Sequence, residues 1–127
     1  MCLTYVDEIY EKPLYNLTVQ GYKYFFKLDD SLLFPIYHCD SLKLNDWNID
    51  NKNIRIKSAN DVIYPTGFHI YKNLEAISKL SHRVVFKVKF NDIVAVGYNK
   101  GSYPQDNDIL YKCYVAKKFK IIEKVEM

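Results

Sequence analysis

Arginine is nearly absent from this chain, which has Arg55 and Arg83 alone among its 18 cations, and glycine and proline number only four each in 127 residues. With so few Gly and Pro, and no internal repeat, a collagen-like, low-complexity or linker-divided chain is excluded. Cys2, Cys39 and Cys113 form neither a CxxC pair nor an even set, which argues against a disulfide framework or a structural zinc site and fits a reducing cytoplasm. No stretch nears the roughly 18 apolar residues that span a bilayer. Met1–Glu8 also lacks the basic-then-apolar order of a secretory signal. The expectation is a soluble, cytoplasmic chain without membrane association, cofactor or metal. Asn16-Leu17-Thr18 matches a glycosylation acceptor, which means nothing without secretion. The formal charge of +3, 18 cations against 15 anions, is too small by itself to imply nucleic acid. Lysine is also poorer than arginine at bidentate reading of bases or phosphates.

What the chain does have is lysine, asparagine, isoleucine, tyrosine and phenylalanine, the usage of an AT-rich coding sequence. At 49% hydrophobic and 26% charged residues it has the balance of a folded globular protein, and its length suits one domain over residues 1–127.

The clearest element is Arg83–Phe90, where Val84, Phe86, Val88 and Phe90 alternate with Lys87 and Lys89, a strand with one core face. Asn91-Asp92 reads as a turn, and Ile93–Tyr98 as a strand buried on both faces. Residues 99–107 read as a loop. Two closing strands follow, Ile109–Ala116 and Phe119–Val125. Earlier, Gly21–Leu28 and Leu32–Tyr37 form a hairpin about Asp29-Asp30-Ser31, with Pro35 suited to an edge or bulge. Asp40–Asn60 is polar and reads as an ordered loop or short irregular strands. One short helix is expected from an Asn73 cap to about Ser81, with Leu74, Ile77 and Leu80 on its buried side. The fold class is therefore α+β: a mainly antiparallel sheet, twisted or a partly open barrel, with one short helix after the Gly67–Tyr71 strand.

Tyr64-Pro65-Thr66-Gly67-Phe68-His69-Ile70-Tyr71 is the densest stretch. Together with Asn73–Ala76, Val85–Gly97, Val115–Ile122 and Met1–Leu3, it resembles small proteins of bacteriophages and related mobile elements. The likeness covers the C-terminal half and the first few residues. It implies a viral or mobile-element origin and brings no functional residues with it.

His69 among aromatics is a candidate base or ligand group, but base catalysis needs a positioned partner, and packing is the commoner use of such a histidine. His38, Cys39 and Asp40 are adjacent in sequence, so successive side chains diverge and form a poor metal site. Cys2 would need a free α-amine and an oxyanion site to act as a nucleophile. Asp29, Asp30, Asp106 and Asp108 sit in turn contexts. Twelve tyrosines are the most unusual feature, since tyrosine buries much area at small entropic cost and keeps a polar tip. Tyr98, Tyr103, Tyr111 and Tyr114 with Lys100 and Lys112 are expected to form a patch around the second loop. The candidate binding set is Tyr64, His69, Tyr71, Tyr98, Lys100, Tyr103 and Tyr114, with no catalytic residue assigned.

Three functions follow as expectations. The first is an accessory protein that binds and inhibits a host protein, in particular an antiviral defence factor. The alternative is nucleotide or nucleic-acid binding, or sequestration, through Lys87, Lys89, Lys100 or Lys117. The third is a small ADP-ribosyltransferase-like or hydrolase enzyme built on His69. A homo-oligomer is also expected, because the closing strands leave an edge that must be paired or blunted by Lys117, Lys118, Lys120 and Lys124.

Overall fold

The computed structural model describes residues 3–14, 18–28, 31–33, 43–51, 54–77, 83–100 and 110–126. Among them, nine strands follow in order: β1 (Tyr5–Leu14), β2 (Val19–Leu28), β3 (Ser31–Leu33), β4 (Asn48–Ile49), β5 (Arg55–Lys57), β6 (Ile63–Pro65), β7 (Phe68–Tyr71), β8 (Arg83–Lys100) and β9 (Leu110–Val125). Seven of them make one antiparallel sheet, while β5 and β6 form a separate hairpin.

The 18 residues of β8 extend to about 60 Å at the usual rise of a strand, so a small protein accommodates them by sharing the strand between partners. Its first half pairs with β2 from Arg83 to Phe90, its second half pairs with β1 from Ile93 to Tyr98, and β9 runs along its other edge from Val85 to Lys100. β9 also pairs with β7, and β7 meets β2 at Tyr22↔Tyr71. The pairings β8–β2–β7–β9–β8 thus close a ring.

Alternation along these strands sends side chains into two clusters. Phe25, Phe68, Ile70, Phe86, Val88, Phe90, Ile93 and Phe119 form one, and Tyr24, Tyr64, Tyr71, Val85, Val94, Cys113 and Val115 belong to the other. Phe25 on β2 and Phe119 on β9 lie with ring centroids 6.0 Å apart, although their strands are not hydrogen-bonded neighbours. That contact crosses the ring, so the phenylalanine cluster fills its inside and the tyrosine cluster lies on the outer face. There Leu3, Ile56, Val62, Ala76 and Ile77 cover it. Phe68 stands edge-on to Phe119 at 4.7 Å, a favoured arrangement of aromatic quadrupoles.

Gly97 is required where β1 docks: a Cβ there would lie 2.1 Å from the Tyr5 carbonyl oxygen. Gly21 has the same role where β2 passes β7, with the Tyr71 oxygen 2.7 Å from such an atom.

The expected antiparallel hairpin is present, with Phe26↔Leu33 and Leu28↔Ser31 pairing β2 with β3; Pro35 lies outside the described residues. Ile93–Val96 is buried throughout, and Asp40–Asn60 contributes the short strands β4 and β5. Three expectations are corrected. The helix after Asn73 is a single 3-10 turn, Leu74–Ala76; Asn73 makes no side-chain cap bond and Ile77 is already extended. One turn gains too few hydrogen bonds to offset helix nucleation, and Leu74 and Ile77 reach the core without a second. Asn91-Asp92 does not turn the chain, because β9 pairs with β8 on both sides of it. Asp92 instead takes a positive φ of 57°, its N–H donates to Asn91 Oδ1 at 2.6 Å, and the strand bends without ending. Lys117-Lys118 likewise does not separate two closing strands, since β9 is unbroken from Leu110 to Val125.

Candidate functional site

Phe86, Val88, Phe90 and Phe119 point into the ring, so the residues between them on β8 and β9 must face outward. These are Lys87, Lys89, Lys118 and Lys120, with Lys89 directly opposite Lys120 and Asn91 opposite Lys118 across the ladder. Like charges facing each other on neighbouring strands repel. A polypeptide that keeps them there has placed cations where an anion would relieve the repulsion.

Trp47 stands over this row. β4 joins the far edge of β9 through Asn48↔Phe119 and Ile49↔Lys118, which puts Asn48 on the inner face, fully buried. The Asn48 side chain accepts from the Lys43 N–H at 2.7 Å and donates to the Lys43 carbonyl at 2.9 Å. That clamp fixes the segment entering β4, and the half-buried Trp47 receives the Lys118 ammonium 5.3 Å and the Lys89 ammonium 5.6 Å from its ring centroid. Both distances suit cation–π attraction. Lys118 also lies 3.9 Å from Asp92 Oδ2, a long contact of small worth at a partly exposed site. Gln20, which pairs with Lys89, extends the face onto β2, and Asn91 Nδ2 donates to Thr18 Oγ1 at 3.2 Å. The arrangement is an outward, cationic strip whose side chains are partly ordered by one indole.

The residues expected from the sequence are distributed differently. Tyr64, His69 and Tyr71 are buried, at 0%, 4% and 2% exposure. The Leu3 N–H donates to the Tyr64 hydroxyl oxygen at 2.7 Å, and that hydroxyl pairs with His69 Nε2 at 3.1 Å. The tautomer that accepts there carries its proton on Nδ1. His69 therefore ties β7 to β6 and to the segment before β1. Its carbonyl accepts from Lys23 Nζ at 3.1 Å inside the ring. Tyr98 is half-buried against Tyr5, with centroids 6.4 Å apart. Tyr114 packs on Phe90 in the inner cluster at 5.1 Å, with the Lys112 ammonium 5.5 Å from its ring. Tyr111 packs with the outer cluster, so alternation separates it from Tyr114. Lys100 ends β8, with its side chain outside the described set, and Tyr103 lies wholly outside the described residues, as do Cys2, His38, Cys39 and Asp40. Among the described residues no three His, Cys, Asp or Glu side chains converge as a metal site would require.

Lys87 and Lys89 were legible as an outward-facing row, whereas Trp47 was not. It lies in a polar segment without periodicity, and a two-residue strand brings it to β9 from some 70 positions away. Lys118 and Lys120 read as edge charges because β9's pairing with β4 was unforeseen. No helix is long and apolar enough to cross a membrane among the described residues. Comparison with protein-family models, with curated proteins and with solved structures finds no match for this chain.

Proposed function

We propose that the chain is a nucleic-acid-binding protein that holds a single strand along the outer face of β8 and β9. The observation that carries this reading is the row of Lys89, Lys118 and Lys120, in which the Lys89 and Lys118 ammonium groups lie over the Trp47 ring. Phosphates would meet the ammonium groups, and a base or sugar would contact the indole, the combination used by proteins that bind single strands with little sequence preference. Lysine meets a phosphate as a point charge and is poorly suited to bidentate base reading, which agrees with backbone contact in preference to sequence readout.

Trp47 is the sole tryptophan and so reports on its own site. Titration with oligothymidylate and oligouridylate of about 12 nucleotides, a length within the usual footprint of such proteins, should change its fluorescence at low salt. Affinity should fall with salt at a log–log slope of about −2, as expected for three phosphate contacts on a single strand. Unchanged fluorescence and anisotropy with both oligonucleotides at low salt would refute the reading. Inhibition of a host protein would then be the stronger reading, and the Tyr5–Tyr98 pair the place to test it.

A further inference from the structure

β1 leaves its regular register between Ile9↔Ala95 and Leu14↔Ile93, so that four residues, Tyr10 to Pro13, oppose a single residue of β8. This irregular part of β1 faces the start of the β5–β6 hairpin, where Glu11 approaches Arg55. Between them lies a cleft of about 250 Å³ with Val94 and Lys117 at its base and Tyr10, Glu11, Pro13, Ile54, Arg55 and Pro65 around it.

Its chemistry is uneven in a useful way. Pro13, Ile54, Pro65 and Val94 supply apolar wall, and two cations, Arg55 and Lys117, line it from different strands. Lys117 is half-buried on β9, where desolvation lowers its pKa while the nearby Asp50 carboxylate opposes that shift. An ammonium group held in such a place is stabilised by any further negative charge. Among the described residues that line the cleft Glu11 is the one acid, and it reaches Arg55 only at 3.8 Å, with both side chains well exposed. An ion pair that long and that wet is easily exchanged. Tyr10 is occupied elsewhere, its hydroxyl donating to Glu8 at 2.6 Å.

We infer that this cleft binds a small oxyanion carrying an apolar group, with Arg55 and Lys117 holding the anion and Glu11 acting as an internal competitor for Arg55. The volume suits a fragment-sized ligand, below the usual range for drug-sized sites. The carboxylate on the wall makes a specific demand: neutralising it must strengthen binding, whereas a cleft that serves only as packing would respond to neither charge.

The experiment is titration of the ¹⁵N-labelled chain with phenyl phosphate, benzoate and the neutral benzyl alcohol, following the amides of Ile54, Val94 and Lys117. Saturable shifts are expected with the anions and not with the alcohol. Glu11→Gln should tighten binding about threefold and Arg55→Gln should weaken it about fivefold, in line with single exposed charges. A response to one anion alone identifies the oxyanion as phosphate or carboxylate and supports the site. Equal response to the alcohol, shifts confined to the Trp47 face, no shifts at all, or weaker binding by Glu11→Gln would each overturn it. Both substitutions lie at exposed positions, and unchanged spectra away from the cleft confirm that the fold is kept. Oligonucleotide binding is measured separately through Trp47, so either proposal can fail without the other.

Discussion

Among the described residues, two of the settings in which lysine meets aromatic rings have opposite consequences. Inside the ring, Lys23 is 4% exposed, its ammonium 5.8 Å and 6.0 Å from the Phe25 and Phe68 centroids and bonded to the His69 carbonyl. Outside, Lys89 and Lys118 make the same kind of contact to Trp47 while still reaching solvent. The first arrangement satisfies a buried charge with fixed local groups and has no capacity left for a visitor. The second holds its cations in place without saturating them. Cation–π geometry alone therefore does not mark a binding surface; access by an anion does.

The comparison is broken most forcefully from the inside. Phe68→Ala should cost about 3 to 5 kcal/mol in urea unfolding, the usual penalty for removing a fully buried aromatic, and oligonucleotide binding should survive wherever the protein remains folded. Lys23→Met should change stability by less, about 2 kcal/mol or under, because exchange of a buried charge for an apolar side chain of similar shape is often close to neutral. It should leave the Trp47 titration unchanged. Loss of binding in Lys23→Met would show that the two lysine settings are not separate.

On the outside the pattern should invert. Lys89→Gln with Lys118→Gln should alter stability by no more than about 0.5 kcal/mol. Each neutralised lysine should lower oligonucleotide affinity about five- to tenfold at low salt and make the salt slope shallower by about 0.7. An unaltered slope would remove phosphate contact from the account.

The smallest effect concerns Cys113, whose thiol burial raises to a pKa of about 12 from an ordinary 9.0. A raised folded-state pKa stabilises fully below the unfolded value, and that contribution is lost as pH climbs from about 9 towards 12. In a Cys2→Ser, Cys39→Ser background, Cys113 should resist thiol reagents at pH 8 until the chain is unfolded. The stability advantage over Cys113→Val should shrink as pH rises above 9.

Which parts could be read beforehand follows from where the information lies. The alternation of Val84 to Phe90 is local, and it gave the inner and outer faces of β8 correctly. Asn91-Asp92 carries turn chemistry that one left-handed residue satisfies, and only the distant β9 decides that the strand continues. Leu74 and Ile77 are three apart, a spacing that fits one 3-10 turn as well as the start of an α-helix. β1 escaped notice because Asp7, Glu8, Glu11, Lys12 and Pro13 mask its pattern, and such residues are typical of a strand that pairs on one side and must discourage further pairing. The tyrosines misled for a related reason: Tyr64 and Tyr71 carry hydroxyls that suggest a surface, yet packing on the outer side of the ring encloses them. Lysine position on β8 could be read from the sequence, but the partner that makes those lysines a site could not.

The pairing of Tyr5 with Tyr98 and Val6 with Gly97 also sets an order of events. During synthesis β1 is made early and its only described neighbour in the sheet emerges some 80 residues later, so the charged, Pro-bearing edge must stay unpaired and resist aggregation in the interval. Because contacts this distant in sequence slow folding, the docking of β1, and with it the shaping of the Tyr10–Pro13 wall, should be among the last steps as the protein reaches its native state.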